Sequence, residues 1–157
     1  MAMYWIRGYA PRFGVISSRL DSSGTREMFL PSAFDGCIFA GCQLKWNHEG
    51  LPMARAADGS LLLVPRALGL AFQARVGFAV AERASRSNGV SLCFQCKPSR
   101  VERRGNNLRV VHAVERLLDV TLIEKPSRAA YPSLRQWLEI LPAKPVEYGS
   151  ARPRLFV

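Results

Sequence analysis

Only two of the 157 residues are histidines, His48 and His112, so imidazole chemistry has two candidate positions. His48 follows Trp46-Asn47 and precedes Glu49-Gly50, which places it at the end of a short strand, where a side chain can reach a cleft. Ser91 is the only hydroxyl in Val90-Ser91-Leu92-Cys93-Phe94, and strand alternation turns it to the face opposite Val90, Leu92 and Phe94. That arrangement suits a nucleophile on a rigid element, with a histidine from elsewhere in the chain as its base. It equally suits a serine on the solvent face of a half-buried strand, and periodicity leaves both readings open. Asp119 begins Asp119-Val120-Thr121-Leu122-Ile123 after the apolar pair Leu117-Leu118, where it either caps the strand start or orients a histidine as the third member of a triad. His112 competes for that third place. It alternates with Leu108, Val110 and Val114, so it also reads as a buried, hydrogen-bonded histidine.

The four cysteines, Cys37, Cys42, Cys93 and Cys96, have C-x4-C and C-x2-C spacings that zinc sites also use. Cys93 and Cys96 fall in a strand, however, and residues three apart on a strand face opposite sides. Cys37 sits among apolar residues as a small hydrophobe. The expectation is therefore no metal and no cofactor. The sequence has no phosphate-binding glycine loop and no dinucleotide fingerprint. The segment Gly89-Val90-Ser91-Leu92-Cys93 lacks the second glycine of a nucleophile elbow, and His48-Glu49 runs into Gly50-Leu51-Pro52 rather than a metal-binding helix.

The elements that must position these residues are mostly short strands. Met3–Tyr9 and Phe13–Ser17 are β-prone pieces separated by Ala10-Pro11, and Arg26–Leu30 precedes a turn opened by Pro31. Gln43–Trp46, Ser60–Val64, Gly69–Val76, Val90–Cys96 and Leu118–Ile123 read as further strands. Gly105-Asn106-Asn107 marks a hairpin between Pro98–Arg103 and Leu108–Glu115. Phe78, Ala81 and Ala84 switch to a helical period, with Asn88-Gly89 as a left-handed stop. A second helical face, Leu134, Trp137, Leu138 and Leu141, follows Pro132. This pattern predicts a mainly β chain with a few helices (α+β), folded as a compact barrel or sandwich. It predicts one domain over residues 1–141 and a Pro-rich tail over 142–157.

Composition narrows the class. Hydrophobic residues make up 48% of the chain, which excludes a disordered protein. The longest apolar stretches are far too short to span a bilayer, and Met1-Ala2-Met3-Tyr4-Trp5 is unlike a secretory signal; a soluble intracellular protein is expected. The net charge of +10 favours a polyanionic partner, yet no run of five or six like charges marks a nucleic-acid arm. A basic β-barrel that binds nucleic acid or an acidic scaffold protein without chemistry is the alternative to an enzyme.

Five segments, in order, complete the reading. They are Ile6-Arg7-Gly8-Tyr9-Ala10 with Phe13; Glu27-Met28-Phe29-Leu30-Pro31-Ser32-Ala33-Phe34; Leu44-Lys45-Trp46-Asn47-His48; Val90-Ser91-Leu92-Cys93-Phe94; and Leu118-Asp119-Val120-Thr121-Leu122-Ile123-Glu124-Lys125-Pro126. Over roughly residues 3 to 130 the chain resembles the tailed-phage prohead proteases, capsid-maturation serine proteases related in fold to herpesvirus assemblin. The resemblance implies a β-barrel of that type, with Ser91 as nucleophile and His48 as general base. Asp119 falls where the family usually has a glutamate, and is preferred over His112 as third member. Ser32 and Cys93 replace family glycines, which raises an inactive homologue as a further alternative; Cys93 would narrow the site. The implied substrates are a scaffold protein, or the scaffold segment of the major capsid protein, and the chain itself. The implied place is the assembling prohead in the host cytoplasm, with no cofactor, no membrane, nucleic acid secondary, and self-association into a homo-oligomer left open.

Overall fold

Alternation of apolar and polar residues dictates most of the secondary structure. The computed structural model describes residues 2–105, 107–132 and 138–143. In chain order the elements are β1 (Met3–Arg12), β2 (Arg26–Phe29), β3 (Gln43–Trp46), β4 (Glu49–Arg55), β5 (Leu61–Pro65), β6 (Gly69–Gly77) and α1 (Phe78–Ala84). They continue with β7 (Gly89–Gln95), β8 (Val101–Arg104), β9 (Leu108–Val111), β10 (Arg116–Ile123) and β11 (Glu139–Ala143). Single 3₁₀ turns occupy Pro98–Arg100 and Pro126–Arg128.

The strands form three sheets, ordered β11-β1-β6-β5, β4-β3-β10-β7 and β2-β9-β8. Two of the pairings, β3 with β10 and β2 with β9, are parallel, and the rest are antiparallel. The mainly β expectation stands. The compact barrel does not appear as such: among the described residues the ladders make three open sheets, with one α-helix. Alternation specifies which face of a strand is buried, but not which edge meets which. Register shifts at Tyr9/Arg12, Leu44/Trp46 and Leu117/Asp119 bend the strands between the sheets.

The core is shared by all three sheets. Ile6, Phe29, Phe34, Leu44, Phe72, Leu117 and Leu122 are wholly or almost wholly buried in one cluster. Phe29 is its hinge, with ring centroids 5.3 Å from Phe34 and 5.2 Å from Phe94. Phe29 belongs to β2 and Phe94 to β7, so an aromatic contact ties the second sheet to the third.

Several local expectations change. β1 runs through Pro11 as one strand, because the proline sits at a bulge where no ladder donor is needed. The helical turn expected at Pro31 is a succession of tight turns, with Ala33 N–H on Leu30 O and Asp35 N–H on Ser32 O. Gly89 opens β7 rather than stopping α1 in a left-handed conformation; a Cβ there would collide with the Ala129 side chain and lie 3.1 Å from the Tyr131 carbonyl. Of the second helical face, residues 134 and 137 lie outside the described residues. Leu141 is in β11, whose pairing with the edge of β1 overrides the helical spacing. That strand includes Pro142 and Ala143 of the expected tail; residues 144–157 lie outside the described residues.

Candidate active site

Adjacent strands of the second sheet place the expected site residues on one surface. Ser91 on β7 lies opposite Thr121 on β10, and Thr121 lies opposite Lys45 on β3. One rung along, Cys93, Asp119 and Gln43 line up in the same way. Cross-strand partners, and residues two apart on one strand, share a face. Ser91, Thr121 and Asp119 therefore occupy the same side of the sheet.

His48 arrives from the turn between β3 and β4. Asn47 and His48 have φ of 50° and 59°, as a two-residue type I′ turn requires between the paired residues Trp46 and Glu49. Asparagine suits that backbone, whereas a histidine there is uncommon and is held by its surroundings. Asn47 N–H donates to the Leu122 carbonyl at 2.9 Å, and Asn47 Oδ1 accepts from Glu124 N–H at 3.1 Å, which docks the turn on the end of β10. The ring itself is fixed through Nδ1, 3.2 Å from Thr121 Oγ1. Thr121 is fully buried, so its hydroxyl is a rigid partner.

Ser91 is held from the other side. Ala130 N–H donates to Ser91 Oγ at 3.0 Å. Three contacts brace the segment that carries that amide. Tyr131 exchanges backbone hydrogen bonds with Val90, at 3.1 and 2.9 Å. Ser18 donates its N–H to Ala130 O at 2.9 Å and its hydroxyl to Ala129 O at 2.7 Å. Tyr131 OH donates to Glu27 Oε1 at 3.2 Å. Glu27 is buried in β2, and its cross-strand partner Arg109 places Nη2 3.4 Å from Oε2. Burial raises the Glu27 carboxyl above its usual range, and Arg109 and Tyr131 partly offset that rise.

Ser91 and His48 line one open cavity of about 700 Å³, together with Cys93, Glu27, Arg109 and the 127–130 segment. Asp119 is not among its lining residues; its carboxylate lies 3.8 Å from Lys45 Nζ. His112 is elsewhere, exposed at the end of β9, with Nε2 2.9 Å from Glu102 Oε2. The expected residues thus separate: Ser91 and His48 share a cavity, Asp119 shares their face of the sheet one rung away, and His112 joins neither. Cys42 is buried, and that burial, with Asp119 and Cys37 nearby, pushes its thiol up to about 12. Among the described residues no cluster of His, Cys, Asp or Glu could hold a metal ion. The sequence reading missed Thr121, although a threonine two positions past Asp119 on a strand lies on the same face. It also missed the Glu27–Arg109–Tyr131 network, whose members lie 104 residues apart at the extremes; nothing local in the sequence connects them.

Among the described residues no helix is long and apolar enough to cross a membrane. Searches of curated proteins and of solved structures returned no match to the chain. The family match therefore stands beside a site that already has a serine and a histidine in one cavity: the family model described as Caudovirus prohead serine protease matches residues 2–134, and the chain belongs to that family of phage capsid-maturation serine peptidases.

Proposed function

We propose that this chain is a serine endopeptidase of phage head maturation, with Ser91 as nucleophile and His48 as its general base. The observation that carries the proposal is the shared cavity of Ser91 and His48, with each side chain held from behind by a different partner. In the tautomer with hydrogen on Nδ1, His48 donates to Thr121 Oγ1 and keeps the Nε2 lone pair that a general base needs. His48 takes the Ser91 hydroxyl proton as Oγ attacks a peptide carbonyl. It then delivers that proton to the leaving amine, and water releases the acyl group by the same steps in reverse. Asp119, the third member by family resemblance, lies one rung beyond Thr121 and supplies negative charge on that face. The Arg128 and Ala129 amides close the turn onto Lys125 and Pro126. The Ala130 N–H, 3.0 Å from Ser91 Oγ, is the donor we assign to the developing oxyanion.

Family membership supports a scaffold protein, or the scaffold segment of the major capsid protein, and the chain itself as substrates, cleaved inside the assembling prohead in the host cytoplasm. The inactive-homologue reading has one observation in its favour, the pairing of the Asp119 carboxylate with Lys45 rather than with His48. One experiment decides between them. Co-expressed with its capsid protein, the Ser91→Ala variant is expected to fold normally and to leave scaffold and self-cleavage sites intact, while the parent chain processes both. Unchanged processing by the variant, or none by the parent chain, overturns the proposal.

A further inference from the structure

The charges lining the Ser91 cavity are unequal. Its one carboxylate, Glu27, is 4% exposed and answered from within the fold by Arg109 and Tyr131. Two further arginines line the same cavity, Arg19 and Arg128. Both residues are exposed, and among the described residues neither has an ion-pair partner. Arg128 sits in the Pro126–Arg128 turn, two residues before the amide that touches Ser91. Arg19 immediately follows Ser18, which braces the same segment. Backbone hydrogen bonds thus anchor both arginines beside the nucleophile, and their charged ends are left uncommitted.

We propose that the cleft selects peptides with a carboxylate side chain, Asp or Glu, next to the cleaved bond, read by Arg19 and Arg128. This rests on the peptidase reading and names its substrate class. A guanidinium matches a carboxylate with two parallel hydrogen bonds, discriminates against the isosteric amide, and repels a lysine or arginine side chain. A cavity of about 700 Å³ accommodates a few side chains of an extended peptide.

The test uses a library of fluorescent decapeptides in which each position in turn carries Glu, Gln or Lys. Binding is measured with the full-length Ser91→Ala protein, and turnover with the parent chain. The expected result is a preference for Glu over Gln of about tenfold at one or two adjacent positions, the ratio a charge-assisted hydrogen bond confers. That ratio should collapse toward one when Arg19→Gln and Arg128→Gln are combined with Ser91→Ala. Both sites are exposed, and a thermal melt checks that the variants remain folded. Equal binding of Glu and Gln peptides, a preference spread evenly over all positions, or one that survives both arginine substitutions overturns the proposal. So does displacement of the acidic peptides by a single-stranded oligonucleotide at equal concentration. If Ser91→Ala binds acid-selectively through these arginines while the parent chain cleaves no peptide, the acidic site stands and the peptidase reading falls. If the parent chain cleaves peptides regardless of Glu, the reverse holds.

Discussion

Thr121 and Asp119 compete to be the residue behind His48, and each rests on a different argument. Asp119 is proposed from its resemblance to the place where the family usually has a glutamate, whereas Thr121 holds Nδ1 at 3.2 Å. A contact that fixes the ring acts on every turnover, so Thr121→Val is expected to lower kcat by about ten- to a hundredfold with little change in KM. Asp119→Asn is expected to cost less, because its carboxylate faces Lys45 across 3.8 Å at a partly exposed position. Steady-state kinetics on a cleavable peptide give the order, and a larger loss in Asp119→Asn returns the third place to Asp119. Glu27 makes a separate prediction. Its carboxyl is raised by burial, so ionisation costs the folded state more than the unfolded one. Stability relative to Glu27→Gln should therefore be highest below the ordinary carboxylate range and decline as the pH rises through it. Melts of the two proteins from pH 4 to pH 7 check this, and a gap that widens in favour of the parent chain toward neutral pH contradicts it.

The 129–131 segment is the element that holds Ser91 Oγ, through the Ala130 amide, and Gly89 is what lets it approach. A methyl group at position 89 would meet the Ala129 side chain and the Tyr131 carbonyl. Gly89→Ala is expected to push the segment off β7, to destabilise the fold by about 1–3 kcal/mol, and to lower kcat more than it raises KM. A melt and a kinetic assay read both effects; normal kcat in a destabilised protein would mean that the Ala130 amide does not serve Ser91. The strands around this site were legible because β3 and β7 alternate, β10 is a short apolar run buried on both faces, and Asn47, Lys97 and Lys125-Pro126 follow them as breaks. The position of Gly89 was legible, but its purpose was not. A glycine after a helix reads as a stop unless the chain packed against it is known. β4 went unread because Gly50-Leu51-Pro52 looks like a loop, although Pro52 is tolerated at the edge of its sheet. β11 went unread because its apolar spacing suits a helix until the free edge of β1 is available to pair with it.

The aromatic contact between Phe29 and Phe94 carries the site at the scale of the whole molecule, because it fixes the strand bearing Glu27 against the strand bearing Ser91. Alternation turned Phe94 inward with Val90 and Leu92, but said nothing of its meeting Phe29 across two sheets, since contact between distant strands leaves no periodic trace. Gln73 is a buried polar side chain of a different kind from Glu27 and Thr121, which have hydrogen-bond partners. It lies at the centre of β6, opposite Arg7 on β1 and Leu62 on β5, and is 1% exposed. Among the described residues neither its side-chain oxygen nor its nitrogen has a hydrogen-bond partner. A buried amide without partners opposes folding, and leucine fills nearly the same volume without that penalty. Gln73→Leu is therefore expected to stabilise the chain by about 1–2 kcal/mol, seen as a rise in Tm of a few degrees. β6 is in the sheet that does not carry Ser91, so peptide cleavage should be unchanged. A lower Tm would show that the amide is satisfied in the folded protein. A loss of cleavage at unchanged Tm would show that the first sheet is coupled to the site through more than the common core.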